Sequence, residues 1–113
     1  MNRTLKAVIV EVSGGNVRNH HINLREAFGL FPKDTLGGSS AAEAGKPISV
    51  TIGSESVRTD IDEGKAVFRE RAAIRRFFEH EQVSAGDLIL IERVLPRKFH
   101  VSKTSKRVFR YYL

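Results

Sequence analysis

The sequence predicts a mainly β domain with one or two helices, and three observations carry that expectation. Short β-branched and aromatic runs recur along the chain between clusters of Gly, Pro, Ser and Asn. Only Glu70 to Gln82 sets its apolar residues at a convincing helical spacing. At 113 residues the chain suffices for one core, which excludes a cofactor domain joined to a substrate domain, so residues 1–113 read as a single domain.

Leu5 to Val12 is the first strand, entering a polar loop at Ser13-Gly14-Gly15-Asn16. Asn19 to Leu24 follows, with Ile22 and Leu24 two apart on one face, and a short helix is expected near Arg25 to Leu30 before Pro32 stops the segment. Leu36 to Ala42 is small and loop-like. Ile48, Val50 and Ile52 then alternate as a half-buried strand does, and Val57, Thr59 and Ile61 repeat the pattern. In the helix, Ile74, Phe77 and Phe78 stand at i, i+3 and i+4 and must be buried. Although Arg69, Arg71, Arg75 and Arg76 surround it, the helix is therefore expected to plug the sheet rather than read a ligand. Val83 to Asp87 turns the chain into the core strand Leu88 to Ile91, and Leu95-Pro96-Arg97 turns it again. Phe99 and Val101 mark the next strand, Lys103 to Lys106 a polar link, and Val108 to Tyr112 a last β-prone segment. Six or seven strands with so little helix favour a closed or partly closed barrel over a βαβ sheet.

Composition narrows the function classes. With 41% hydrophobic and 28% charged residues the chain has the make-up of an ordinary folded protein, and no apolar run approaches the ~18 residues that span a bilayer. Met1 to Lys6 lacks the apolar region of a secretory signal, and the absence of Cys removes disulfides, thiolate catalysis and cysteine zinc sites. A cytoplasmic protein without a membrane partner is the expectation. Nineteen Lys and Arg against 13 Asp and Glu give a charge of +6, and a field of that sign draws polyanions.

Two segments carry suitable chemistry for such a partner. Ser13, Gly14, Asn16, Arg18, Asn19 and His20 form the first: Arg can fork onto guanine, Asn onto adenine, and Ser or backbone N–H groups onto phosphate. The second is Arg58 to Arg71, with Arg58, Thr59, Asp60, Asp62, Lys65, Arg69 and Arg71. Its cations suit phosphates or guanine, and its carboxylates can accept from the cytosine amino group. Solvated polar loops would have the same composition. Glu63-Gly64-Lys65 also has the ExK spacing of a metal-dependent nuclease, with Asp34 or Asp60 as the distant acid. His20 and His21, adjacent on an expected strand, point to opposite faces, and His80 and His100 are isolated, so no metal site is expected. Nothing in the spacing of Ser, His and Asp marks a nucleophile, and Gly37-Gly38-Ser39-Ser40 lacks the lysine of a phosphate-binding loop. No catalytic residue and no cofactor is therefore assigned.

The order of features from Asp62 to Arg93 resembles the B-three-like DNA-binding pseudobarrel of plant transcription factors and of recognition domains of bacterial restriction endonucleases. Gly64-Lys65 leads to a helix containing Phe77-Phe78, and Val83 to Ile91 follows the family's pattern of a leucine, two further residues, a Gly-Asp turn and an apolar strand, with Val83 in the place of the leucine. Asn19 to Leu24, Phe31 to Asp34 and Gly37-Gly38-Ser39 look like the second strand and following loop of the bacterial branch. Where the plant pattern has a tryptophan after the arm glycine, this chain has Val67-Phe68. The resemblance implies a seven-stranded open pseudobarrel that grips the major groove with two arms, which fall on the two segments already singled out. It also implies sequence-specific binding of double-stranded DNA, as a small regulator or as the recognition part of a restriction-modification system working beside a nuclease or methyltransferase. A small Mg-dependent endonuclease and a protein- or RNA-interaction barrel are the alternatives.

Overall fold

The computed structural model describes residues 5–105. Its class is mainly β, as the sequence predicts. A five-stranded sheet runs in the order β1 (Ala7–Glu11), β7 (Leu88–Leu95), β8 (Lys98–Thr104), β3 (Ile48–Ile52) and β4 (Glu55–Thr59). A smaller sheet joins β2 (Leu36–Gly37), β5 (Ile61–Asp62) and β6 (Val67–Phe68). Both are mixed, because β3 runs parallel to β8 and β2 parallel to β5 while the other pairs are antiparallel.

Alternation along the strands builds the core. Ile48, Val50 and Ile52 of β3, Ile89 and Ile91 of β7, and Phe99 and Val101 of β8 are all buried. Helix α2 (Ala72–His80) lays Ala73, Ile74, Phe77 and Phe78 onto this core and leaves Arg75 and Arg76 exposed, so it plugs the sheet as expected. Arg76 pairs with Glu55 on β4. Phe31 joins the two sheets: its ring lies edge-on to Phe68 of β6 at 5.8 Å and 4.7 Å from Phe99 of β8.

Several expectations need correction. The loop expected at Ser13 to His20 is instead a short helix, α1 (Gly14–Asn19), with its two caps, because Ser13 closes a capping box with Asn16. Asn19 to Leu24 forms no strand: His20 ends α1 in the left-handed region at φ 54°, and the Leu24 N–H bonds the Ala66 carbonyl. The alternation that signalled a strand is nonetheless real, since Ile22 and Leu24 are both buried. The expected strand through Val57, Thr59 and Ile61 divides at Asp60, where the chain passes from the large sheet to the small one. Arg25–Leu30 is a 3-10 helix, and β8 extends through Lys103 and Thr104, which were expected in a link. The Val108 to Tyr112 segment lies outside the described residues.

Candidate nucleic-acid interface

The first arm begins where β1 leaves the sheet. Val12 is held on both sides of its peptide, its N–H donating to the Asp87 carbonyl and its own carbonyl accepting from Gly86. The Gly-Asp turn noted in the sequence therefore anchors the base of this arm. Gly86 adopts φ +93°, a conformation suited to glycine, and the Asp87 carboxylate accepts from the Ser84 N–H at 2.8 Å. That bond, with Lys103 nearby, holds Asp87 below the usual carboxylate range.

Along α1 the predicted residues divide by role. Ser13 and Asn16 bond each other's backbone N–H groups, and the Asn19 side chain donates to the Gly15 carbonyl. Arg18 is exposed and has no hydrogen bond or ion pair among the described residues. Its guanidinium lies over the two glycines, where a Cβ at Gly14 would stand 3.3 Å from Nη1. The guanidinium is thus an exposed group, unpaired among the described residues, on a short capped helix.

The second arm is the β5–β6 hairpin. Asp62 is buried, and its carboxylate accepts from the Lys65 N–H at 3.1 Å while its carbonyl accepts from Ala66. These bonds hold Ala66 at φ 58°, which ordinary residues seldom adopt, and present Glu63, Gly64 and Lys65 to solvent. The Lys65 ammonium has no partner among the described residues.

Behind the hairpin, Arg69 and Asp60 are committed to the fold. Arg69 Nε and Nη2 grip the Asp60 carboxylate at 2.6 and 2.9 Å. The remaining Arg69 N–H groups reach the Gly38 carbonyl at 2.6 Å and, more distantly, those of Ser39 and Ser40. Asp60, with a side chain 4% exposed, also accepts from the Gly45 N–H at 2.7 Å. Burial pushes its carboxyl up, but the Arg69 and Gly45 bonds prevail and hold it below the usual range. No side chain fits at Gly37, where a Cβ would come within 2.4 Å of the Gly45 nitrogen, so the loop 38–45 closes tightly over this pair. Ser39 and Ser40 thus offer carbonyls to an arginine rather than N–H groups to a phosphate. Thr59 is buried too, its hydroxyl donating to the Asp60 carbonyl and accepting from the Glu70 N–H. Arg58 is exposed beside a shallow cleft with Pro47, Asp60, Arg69 and Glu70.

The two arms meet. Arg71 Nη2 donates to the Asn19 carbonyl at 2.8 Å across 52 residues, Leu24 N–H donates to the Ala66 carbonyl, and Arg25 Nη2 lies 3.5 Å from the Gly64 carbonyl. His21 sits among these ties. Burial, followed by the charges of Arg71, Lys65 and His20, holds its imidazole below the ordinary histidine value. Arg18, Arg58, Lys65 and Arg71 are the predicted cations that remain exposed, whereas Thr59, Asp60, Asp62 and Arg69 shape the backbone beneath them. Sequence reasoning missed Arg25 and His21. The Arg25 N–H donates to Asn23 Oδ1, a local turn signal, but the approach of residue 25 to residue 64 is tertiary and leaves no local trace.

Both candidate distant acids face arginines, Asp60 with Arg69 and Asp34 with Arg97 at 2.9 Å. Among the described residues no three His, Asp or Glu side chains gather where they could hold a metal ion. Nor is any helix there long and apolar enough to cross a membrane.

Comparison with solved structures finds a similar fold in the N-terminal domain of Helicobacter pylori LlaJI.R1. The TM-score is 0.56 at 10% sequence identity, over 91% of this chain and 90% of that one. Comparison of the sequence with protein families and with curated proteins gives no match.

Proposed function

We propose that this chain is a double-stranded DNA-binding module that reads a short site through α1 and the β5–β6 hairpin. The observation that carries the reading is the junction of two segments some fifty residues apart, tied by Arg71 to Asn19, with the exposed cations Arg18 and Lys65 on its two sides. Arg18 supplies the base contact, supported by its free fork; Lys65 and Arg71 supply phosphate contacts. The net charge of +6 supports a polyanionic partner. The fold likeness to a domain of a restriction-system protein supports a DNA-related role, in which the chain would act as a recognition module beside a nuclease or methyltransferase. Binding requires no catalysis by this chain.

The test is selection from a randomised duplex pool, followed by anisotropy titration of enriched and random duplexes over a salt series. A motif bound roughly 10³-fold above random DNA is the expected result. No enrichment with a steep salt slope would leave a phosphate binder without a code, and preference for single strands would favour an RNA-binding barrel.

A further inference from the structure

Among the described residues the large apolar side chains left in solvent are Leu5, Val94 and Leu95, at 43%, 63% and 52% exposure. They gather at one corner of the five-stranded sheet. The Arg93 N–H donates to the Lys6 carbonyl at 2.8 Å, one step beyond the pairing of Ala7 with Glu92, so Leu5 comes beside Val94 in register. The register of β7 against β8 shifts between Arg93 and Leu95, which pair with Phe99 and Lys98. Val94 is thus the extra residue of a bulge. Strict alternation, which would turn one of two successive side chains inward, is suspended there, and both Val94 and Leu95 face solvent. The turn that follows is braced by Arg97, which donates to Asp34 at 2.9 Å and to the Pro47 carbonyl at 3.0 Å.

The charge around this corner has one sign. Lys6 adjoins Leu5, Arg93 adjoins Val94 and Lys98 stands opposite Leu95, and none of the three has an ion pair among the described residues. The nearby carboxylates face other groups, Asp34 the Arg97 guanidinium and Glu92 the His100 ring at 3.6 Å.

We propose that this corner is a docking surface for a partner protein, which it takes by an acidic segment carrying aliphatic side chains. Contact buries Leu5, Val94 and Leu95 and sets carboxylates against Lys6, Arg93 and Lys98. Charge decides against a second copy of the chain, since two such corners would bring like-charged rims together on molecules that each carry +6. A nucleic-acid backbone would match the cations but leave the aliphatic side chains without a partner. About 20 Å of extended chain lies between Leu5 and the end of β1, beyond which α1 begins, so a partner seated here leaves the first arm open. The surface does not rest on the DNA reading.

The experiment selects a randomised displayed-peptide library on the full chain. Enriched peptides are then titrated against the parent, against the double variant Val94→Ser with Leu95→Ser, and against Lys98→Glu. The enriched sequences are expected to combine Asp or Glu with Leu, Ile or Val. Affinity should fall roughly tenfold or more in both variants, and the loss in Lys98→Glu should shrink as salt rises. The replaced residues are exposed, so both variants should unfold at the parent's urea midpoint. Independently of any variant, the amide NMR shifts of the parent should concentrate at residues 5–7 and 92–98 when an enriched peptide is added. No enrichment, enriched peptides without acidic residues, or shifts confined to other residues overturn the proposal. A monomer–dimer equilibrium abolished in the double variant overturns it in favour of self-association, and sedimentation with phosphatidylserine vesicles abolished in that variant overturns it in favour of a lipid surface. A random duplex should bind parent and double variant alike. Loss of duplex binding in the double variant would assign the corner to DNA and overturn the docking surface, whereas absence of duplex binding in the parent strikes the DNA reading alone.

Discussion

Arg69 donates to Asp60 and to the carbonyls of the loop 38–45, while Arg71, only two residues further on, turns to the surface and holds the Asn19 carbonyl alone. The two residues carry the same group, so the difference lies in their neighbours. A guanidinium has five N–H donors, and at Arg69 all its nitrogens are engaged, which leaves nothing to offer a ligand. At Arg71 donors remain. The lower region of the second arm is therefore a brace and the upper region an open surface, although both have the composition expected of a DNA contact.

The largest expected effect tests the brace. Asp60→Ala strands Arg69 and the Gly45 N–H and should lower unfolding free energy by about 2 to 4 kcal/mol, somewhat under the range for a fully buried pair because Arg69 is 25% exposed. Urea denaturation measures it, and a loss below about 1 kcal/mol would show that the pair is not a brace. Asp60 also has a pH signature. Its folded-state pKa is depressed, so its stabilising contribution is present above the ordinary carboxylate value and declines as pH falls through the folded value. Asp60→Ala should flatten that part of the stability curve.

The next effect tests the open surface. Arg18→Ala should weaken binding to a selected duplex by roughly 1 to 3 kcal/mol and relax preference at one base position, with unfolding free energy unchanged. Arg69→Ala, by contrast, should show its effect first in stability. If both variants lose affinity equally while remaining equally stable, the distinction between brace and surface fails.

What was legible in the sequence follows the same division. The core could be read because period-two alternation in β3 and period-3.6 spacing in α2 are local consequences of burial, and Ile48, Val50, Ile74 and Phe77 all point inward. Candidate arms could be read as chemistry, since polar residues between apolar runs are exposed or paired. Which of the two applies was not legible: the pairing of Asp60 with Arg69 depends on a loop some thirty residues upstream folding over both. Ile22 and Leu24 show a related limit, because alternate burial records a buried face but not whether a neighbouring strand pairs with it.

A smaller effect separates positioning from reading within the exposed set. Lys65 has a free ammonium on a mobile stem, so Lys65→Ala should weaken selected and random duplexes alike, by several-fold, and reduce the slope of log affinity against log salt by about one. Loss confined to the selected duplex would make Lys65 a base reader and would move the code from α1 toward the hairpin.

The smallest expected effect concerns Ser13, which the sequence offers as a DNA contact and the structure uses as a cap. Its hydroxyl accepts from the Asn16 N–H at 3.1 Å, and removing it in Ser13→Ala should cost about 0.5 to 1 kcal/mol, low in the usual range because α1 is short and Ser13 is exposed. Ser13→Asp decides between the two roles. Aspartate caps as well as serine, so stability should be retained, but its negative charge would face the duplex and should lower affinity, less so as salt is raised. Retained stability with unchanged affinity would place Ser13 outside the interface and shift the working face of α1 toward Arg18. A loss of affinity with Ser13→Asp but none with Ser13→Ala would show that Ser13 lies close to the DNA without bonding it, as a residue that sets the direction of the arm would do.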